Sequence, residues 1–523
     1  MSINWGGIES AGLTGSTQKT GTGGFRAIHL DFRVPLAHND PKCQETIRLQ
    51  ADLVYGHGGS GTTGYTPDLA GVLSSLTSPL CPSGTAPVAV YLCGGPGSGN
   101  PAFAYPELTS TLLDKMETPV LYLDYRGTGG SDPITASKLE GLRPKDAARQ
   151  LMLYRQDSIV ADLEAVRLRL GKVCQKNVKF ALVGQSFGGW IAMTYLSFLP
   201  GSLAGVWLTG GMPAIGKTPD EVYKALYKRL VRANERYYAK YPQDVGRVRE
   251  VLHSLAAANR GQGLIADDGQ RLTPRGFLTM GRHFGRGEEG FAEVHARVRS
   301  LLDPNMVDHG RTDDPDVGGF KLPERPLYAA LHEAIYCCGP GVASKWAAQY
   351  IGKQQTGGHF AWLDSDFKFE RPSSNTPDPS TALYFSGEMI HRFMLREAGP
   401  AMQPAFIEPS EILAQCKSWP ALYDTVALRR NTVPLRALMY PEDLFVDFDL
   451  SRDAANGVRN CEQIYAPSHW AHADIKKRSR EHNTIAAMAP TDAPTLLWGG
   501  RFTSAIDDLM FQFNESLSFD KVF

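Results

Sequence analysis

Short, nearly continuous apolar runs constrain the fold of this chain more than any other feature. Four of them stand at residues 88–92 (VAVYL), 120–123 (VLYL), 180–183 (FALV) and 206–208 (VWL). Strands of this kind are buried on both faces, as in a parallel sheet covered by helices. Residues 157–170, between the second and third runs, carry apolar side chains at helical spacing. Strands that alternate with helices predict an α/β fold with a mostly parallel central sheet.

The rest of the chain divides into regions with other patterns. Residues 27–34 and 46–55 alternate apolar and polar side chains, which predicts half-buried antiparallel strands. Residues 213–424 carry helical patterns and loops rich in Pro, Asp and Gly, without any alternation of strands and helices. We therefore predict an α/β domain in two parts, residues 1–212 and 425–523, interrupted by a large, mainly helical cap domain.

Charge and composition exclude several classes of protein. The 523 residues carry a formal net charge of −1, so no overall field would attract nucleic acid or an anionic membrane. The first 24 residues lack an apolar run, and no stretch approaches the roughly 20 apolar residues that span a bilayer. The eight cysteines are scattered, with no CxxC pair. Such thiols are typical of a reducing compartment, so we expect a cytoplasmic location.

A nucleophile is predicted at residues 184–189 (GQSFGG), which fit the pattern G-x-S-x-G. The pattern alone is weak, but here an apolar strand leads into it and a helical stretch (WIAMTYLSFL) leads out. Ser186 would stand at the strained turn between them, with its hydroxyl exposed. The backbone N–H of Phe187, at the start of the helix, would stabilise negative charge on a substrate oxygen. The alternative is a glycine-rich turn with an inert serine.

A second glycine-rich loop, residues 93–97 (CGGPG), directly follows the strand at residues 88–92. We expect the N–H groups of Gly94 and Gly95 to complete an oxyanion hole with that of Phe187. Residues 57–61 (HGGSG) also follow an apolar strand, but that strand alternates like an antiparallel edge, so the later loop is favoured.

The acid and the base should follow the serine in the order Ser, Asp or Glu, His. A strand predicted at residues 434–440 leads to Asp443, which would orient the imidazole, whereas Glu442 and Asp447 are weaker alternatives. The histidines after residue 440 are His469, His472 and His482, and the first two lie just beyond a strand predicted at 461–465. No histidine follows the apolar run at residues 494–500, which we interpret as a structural strand.

Three motifs in this order carry a family resemblance. CGGPG, then DYRGTGGSDP, then GQSFGGW resemble the HGGPG, DQRGTGRS and GQSFGG motifs of the proline iminopeptidase (prolyl aminopeptidase) family, and the long fungal members most of all. The likeness runs from about residue 25 into the C-terminal third. This chain differs at Cys93 (usually His), Tyr125 (usually Gln) and Gly130 (usually Arg). The differences spare the backbone donors but leave the substrate preference open.

The resemblance implies an α/β-hydrolase fold and a set of roles. The segment AHADI is similar to the family's catalytic-histidine segment, which selects His472 over His469. The segments around Glu333 (LHEAIY) and Glu388 (FSGEM) resemble those that hold the substrate's free α-amino group. Two carboxylates facing a pocket would bind an ammonium group, although most glutamates are surface or capping residues.

The resulting hypothesis is a cytosolic serine aminopeptidase that removes an N-terminal residue, proline favoured, through an acyl-enzyme on Ser186. It needs no cofactor, and no metal-binding motif such as HExxH is present. The expected partner is a peptide or small molecule with a free N-terminus, and neither nucleic acid nor a membrane. An esterase or amidase acting on a small secondary metabolite would use the same catalytic groups. A catalytically dead binding protein is the third hypothesis, which the complete set of motifs disfavours.

Overall fold

The computed structural model describes residues 2–21, 24–57, 68–75, 85–100, 102–103, 106–116, 118–265, 269–303, 322, 325–371, 378–397, 404–466 and 472. Its strands are, in chain order, β1 (Gly12–Thr20), β2 (Phe25–Pro35), β3 (Thr46–His57), β4 (Thr85–Leu92), β5 (Val120–Leu123), β6 (Asn177–Gln185), β7 (Leu203–Thr209), β8 (Leu264–Ile265), β9 (Arg271–Leu272), β10 (Leu435–Met439) and β11 (Cys461–Tyr465). All except the β8–β9 hairpin belong to one nine-stranded sheet.

The strand order of the large sheet is β1-β2-β3-β5-β4-β6-β7-β10-β11. The strands from β5 to β11 in this order run parallel, whereas β1, β2 and β3 pair antiparallel at one side. The chain passes from β4 to β5 on one side and then returns to place β6 on the other side of β4. Ligands of open α/β sheets bind at such a switch point, outside the carboxyl ends of the strands. The loops after β4 and β6 therefore open onto the expected site.

The helices of the described chain fall into two groups. Those outside residues 213–424 are α1 (Leu69–Ser74), α2 (Pro106–Met116), α3 (Ala136–Leu139), α4 (Pro144–Met152), α5 (Gln156–Cys174), α6 (Phe187–Phe198), α15 (Thr425–Arg429) and α16 (Phe448–Asn456). Those within that range are α7 (Pro219–Lys240), α8 (Asp244–Ala257), α9 (Pro274–Leu278), α10 (Glu288–Ser300), α11 (Pro326–Leu331), α12 (Ala347–Lys353), α13 (Arg392–Glu397) and α14 (Pro404–Gln415). No helix of the described residues has the length and apolarity needed to cross a bilayer.

The structure confirms the predicted α/β fold and shows where the sequence was less informative. Each buried run lies within a strand, and β4, β5 and β6 are buried along most of their length. The sequence analysis did not predict β1, whose residues are mostly exposed at the sheet edge and carry few apolar side chains. Where residues 213–424 are described, they contribute the β8–β9 hairpin but no strand of the large sheet. The division into two domains stays a prediction.

Candidate active site

Ser186 stands at a sharp turn between β6 and α6, where the sequence predicts the nucleophile. Its φ of 52° and ψ of −126° lie in a region that residues other than glycine rarely occupy. The Ser186 N–H donates to the carbonyl of Thr209 in β7, and its own carbonyl accepts from the Gly189 N–H at 2.7 Å. Ser186 is partly exposed, whereas the residues on either side of it are buried. The turn thus presents the hydroxyl outward at the carboxyl end of the sheet.

The two glycines after Phe187 let α6 approach the sheet closely. A Cβ atom at Gly188 would lie 2.0 Å from the carbonyl oxygen of Leu92, at the end of β4. A Cβ atom at Gly189 would lie 1.9 Å from the carbonyl oxygen of Gly211, just after β7. Neither position has room for a side chain, because backbone atoms fill the space. The glycines of the motif are therefore required by packing at both neighbouring strands.

The loop at residues 93–97 lies against Ser186, as the sequence analysis expects. A Cβ atom at Gly94 would lie 3.2 Å from Ser186 Cβ and 3.6 Å from Ser186 Oγ. Gly95 follows in the same loop, and Phe187 is buried at the start of α6. These positions bring the three proposed backbone donors to the end of the sheet that carries the serine. Their use as an oxyanion hole stays a prediction.

The loop after β5 braces this glycine-rich loop, a role that the sequence analysis missed. The carboxylate of Asp124 accepts the backbone N–H of Asn100 at 2.6 Å and that of Gly130 at 2.8 Å. The side chain of Asn100 donates to the carbonyl of Tyr91, and the Tyr125 hydroxyl donates to the carbonyl of Cys93 at 3.2 Å. An acidic residue directly after a buried strand was the signal available in the sequence.

Asp443 and His472 meet in the structure although 29 residues separate them in the chain. The Nδ1 atom of His472 lies 2.7 Å from Oδ2 of Asp443, and both side chains are almost fully buried. The other oxygen, Oδ1, accepts the backbone N–H groups of Phe445 and Val446 at 2.8 and 3.1 Å. Because the carboxylate accepts the Nδ1–H, the lone pair of the imidazole is on Nε2.

The imidazole lies beside the residues that surround the serine. Its Nε2 is 3.4 Å from Nε2 of Gln185, the residue just before Ser186. A Cβ atom at Gly210 would lie 2.9 Å from its Nδ1, and one at Gly211 would lie 2.8 Å from the Ser186 carbonyl. The direct contact between the Ser186 hydroxyl and this imidazole stays a prediction.

The other acids and bases considered from the sequence have different surroundings. Glu442 is exposed and lies 3.5 Å from Arg236. Asp447 caps α16 through the Leu450 N–H and also accepts from Arg229. His469, His482 and the apolar run at residues 494–500 lie outside the described residues.

Glu388 lies close to the Asp443–His472 pair. Its Oε1 accepts a hydrogen bond from the Tyr328 hydroxyl at 2.9 Å. Burial raises the pKa of Glu388, while the nearby charge of His472, the Tyr328 hydrogen bond and Arg282 oppose that rise. The backbone of Tyr328 in turn packs on the glycine-rich loop, since a Cβ atom at Gly97 would lie 2.8 Å from the Tyr328 nitrogen. Tyr328 thus connects this loop to Glu388, a link that the sequence analysis did not predict.

Glu333 is buried and accepts hydrogen bonds at the start of α12. Its Oε1 accepts the Ala348 N–H at 2.9 Å, and its Oε2 accepts the Ala347 N–H at 3.2 Å. Burial raises the pKa of Glu333 to about 8, against the effect of these hydrogen bonds. Burial raises the pKa of Tyr336, and three nearby acidic groups raise it further. These are Glu388, Glu333 and Asp443, so all three carboxyl groups lie near the Tyr336 phenol.

Four aromatic residues near the two glutamates and the serine in the sequence divide into two groups. Trp190 of α6 and Tyr336 meet edge to face, with ring centroids 6.3 Å apart. Phe385 is fully buried and packs against Tyr237 and other rings of residues 213–424, and Tyr384 stacks on His359. Trp190 and Tyr336 therefore join α6 to the helical region, whereas Tyr384 and Phe385 belong to its interior.

Comparisons with known proteins agree with the motifs. A family model described as "alpha/beta hydrolase fold" matches residues 87–259. The chain is 34% identical to the proline iminopeptidase of Aeromonas sobria over 456 residues, which cover 85% of this chain and 92% of the relative. It is 30% identical to the proline iminopeptidase aneH of Aspergillus aculeatus over 493 residues, which cover 91% of this chain and 96% of the relative.

Solved structures give weaker likenesses. A proline iminopeptidase of Mycobacterium smegmatis is 11% identical, with a TM-score of 0.38 over 88% of this chain and 97% of that chain. A thermophilic esterase of Thermogutta terrifontis is 14% identical, with a TM-score of 0.34 over 90% of this chain and 97% of that chain. Neither likeness separates a peptidase from an esterase. The two sequence relatives align over most of their length, and the chain therefore belongs to the proline iminopeptidase family of α/β-hydrolases.

Proposed function

We propose that this protein is a serine aminopeptidase that releases an N-terminal residue, with proline preferred, through an acyl-enzyme on Ser186. The observation that carries the proposal is the 2.7 Å contact between Asp443 and His472, with Nε2 facing the residue before the strained serine. The 34% identity to the Aeromonas sobria enzyme over nearly its full length supports the same activity. Such an arrangement of acid, base and nucleophile is that of acyl transfer.

In the proposed mechanism His472 accepts the proton of the Ser186 hydroxyl as the oxygen attacks the scissile carbonyl. The N–H groups of Gly94, Gly95 and Phe187 stabilise the developing oxyanion. The imidazolium then gives its proton to the leaving amine, which departs as the shortened peptide. Water, activated by the same imidazole, releases the N-terminal residue from Ser186. Asp443 holds the ring in one tautomer, and its own orientation is held by the Phe445 and Val446 amides.

Selection for a free N-terminus is assigned to Glu388 and Glu333. Glu388 lies near His472, where the amino group of a substrate bound to Ser186 would arrive. A bound ammonium group would favour the charged carboxylate against the burial that raises the pKa of Glu388. Glu333 already accepts hydrogen bonds from the backbone of Trp346, Ala347 and Ala348 and from the Ser344 side chain, so we assign it no direct hydrogen bond to the substrate. Its proposed part is that of a second carboxyl group behind Tyr336.

The pocket for the proline ring is assigned to the place where Trp190 and Tyr336 meet. Trp190 is four residues after Ser186, on the helix whose start faces the oxyanion. Its ring meets the Tyr336 ring edge to face, an arrangement that gives an apolar wall. A small cyclic side chain fits such a wall without needing a polar partner.

Two matched substrate pairs test this function. The first is a prolyl arylamide with a free amine and its N-acetylated form. We expect only the free form to be hydrolysed well, and equal rates would remove the amine-binding role. The second pair is the prolyl arylamide and a simple aryl ester without an amine. Rapid turnover of the ester with an inert arylamide would contradict the aminopeptidase proposal and favour the esterase.

The domain division and the location remain proposals of the same kind. We assign residues 213–424 to a cap over the active site, supported by the packing of Tyr336 on Trp190 and of Tyr328 on the loop at Gly97. A cytoplasmic location is supported by the cysteines, which form no disulfide among the described residues. The proposed partner is a peptide with an unblocked N-terminus.

A further inference from the structure

Gln185 lies between the catalytic base and the glycine-rich loop. It is the last residue of β6 and only 4% of its surface is exposed. Its Nε2 lies 3.4 Å from Nε2 of His472. Its Oε1 faces the loop after β4, because a Cβ atom at Gly94 would lie 3.0 Å from this oxygen. The Gln185 side chain therefore contacts both the imidazole and the glycine-rich loop, and the proposed mechanism needs both of them aligned with Ser186.

We propose that Gln185 is a positioning residue that holds the Nε2 edge of His472, a role that rests on the proposed function of that histidine. The Nδ1 edge is held by Asp443, so the ring is fixed from two sides. Because the Nδ1 proton is donated to Asp443, Nε2 has a lone pair and the Gln185 amide is its donor. At 3.4 Å this contact is long, so it restrains the ring while the same lone pair can still accept the Ser186 hydroxyl when a substrate arrives.

The same contact sets the proton affinity of the base. An amide N–H directed at Nε2 stabilises the neutral ring and opposes its protonation. The charged groups that face the imidazole among the described residues, Asp443 and Glu388, act in the opposite direction because both are acidic. Tyr440, with its ring centroid 6.4 Å from that of the imidazole, is the further titratable neighbour. Gln185 thus acts against the two acidic groups, and its loss should make the imidazole easier to protonate.

Substitution of Gln185 separates positioning from a structural role through the pH profile. Gln185→Met keeps the size but removes the donor, so we expect kcat for the free prolyl arylamide to fall about tenfold with KM changed much less. The acid limb of kcat/KM should move to higher pH, because the imidazole then protonates more readily. Gln185→Glu places a third acidic group beside Nε2 and should move the limb further in the same direction.

Gln156→Met is the matched control. Gln156 is also a fully buried glutamine, but it begins α5 and lies beside Tyr423. This variant should keep the wild-type acid limb and kcat. If Gln185→Met leaves the acid limb and kcat unchanged while His472→Ala is inactive, the role of Gln185 is wrong and the proposed function stands. If His472→Ala keeps its activity, the proposed function itself fails. Should the Met variant not fold, Gln185→Leu, which also lacks the donor, gives the same decision.

Discussion

Asp443 and Glu388 are both carboxyl groups beside His472, but they are held in different ways. Asp443 follows β10, and its Oδ1 accepts the N–H groups of residues two and three positions further on. Glu388 lies in a segment without helix or strand, and its hydrogen-bond partner Tyr328 is 60 residues away in α11. At the sheet end, a local turn directly after a strand positions the carboxyl group. In the helical region, the carboxyl group is positioned by contact between segments that are far apart in the chain.

This difference predicts different consequences of mutation. In the proposed function, residues at the sheet end perform the chemistry, so their loss should affect every substrate. Residues 213–424 are proposed to contribute recognition, so their loss should affect only substrates with the group that is recognised. The predictions below test that distinction in order of decreasing effect.

Ser186→Ala should abolish turnover of every substrate. Without the hydroxyl no acyl-enzyme forms, and we expect kcat to fall by about 10⁴- to 10⁶-fold. The prolyl arylamide and an aryl ester should lose activity alike in steady-state assays. Ser197→Ala is the control, since Ser197 is buried in the same helix and donates only to the Met193 carbonyl. Retained activity in the Ser186 variant would mean that another residue is the nucleophile.

Asp443→Asn should lower kcat by about 10³- to 10⁴-fold for both substrates, because the amide cannot hold the Nδ1–H tautomer. Glu442→Gln is the control, since it is the adjacent acid but is exposed and paired with Arg236. We expect the control to keep its activity. Comparable losses in the two variants would contradict the assignment of the acid.

Much of the sheet end was predictable from the sequence because each of its parts follows a recognisable strand. GQSFGG stands between an apolar strand and a helix, and Asp443 follows the next predicted strand but one. Buried strands and tight turns have strong local patterns, so their positions can be read from neighbouring residues. The contact of Gln185 with His472 was not predictable, because no local pattern says which side chain a distant loop will bring to it.

The helical region was less predictable for the same physical reason. Glu333 and Glu388 were singled out by family resemblance alone, since a glutamate in a helical or irregular segment has no distinctive pattern. No local pattern indicates that Glu333 accepts N–H groups from α12, which begins 14 residues later. Tyr328 was not singled out at all, although it donates to Glu388. Contacts between docked segments depend on tertiary packing that periodicity does not encode.

Glu388→Gln should lower kcat/KM for the free prolyl arylamide by about 10- to 100-fold, the loss expected for one charge-assisted hydrogen bond. The N-acetylated substrate has no ammonium group, so its slow rate should change little. Glu411→Gln is the control, because Glu411 is paired with Arg392 and Trp346. Equal losses of kcat/KM on the free and acetylated substrates would mean that Glu388 takes part in catalysis. The proposed difference between the two regions would then be wrong.

Glu333→Gln should change stability, and the change should depend on pH. The folded pKa of about 8 lies above the ordinary value of 4.5, so the stability that the protonated group contributes is lost as the pH rises through 8. Glutamine does not ionise, so the Gln variant does not lose stability in this way. Its amide nitrogen is a donor that faces one of the two α12 N–H donors, and this unsatisfied pair costs about 1–2 kcal/mol.

Urea unfolding at pH 5, 7 and 9 should therefore show the wild type losing stability relative to Glu333→Gln as the pH rises, so that the wild type is the more stable protein at pH 5 and the less stable one at pH 9. Glu221→Gln is the matched control, since Glu221 also accepts a backbone N–H at a helix start but is exposed, and the Thr218 hydrogen bonds lower its pKa. Its effect should stay constant over this range. A constant difference for Glu333 as well would mean that this carboxyl group is already charged at pH 5, and that the helical region holds a permanent anion behind Tyr336.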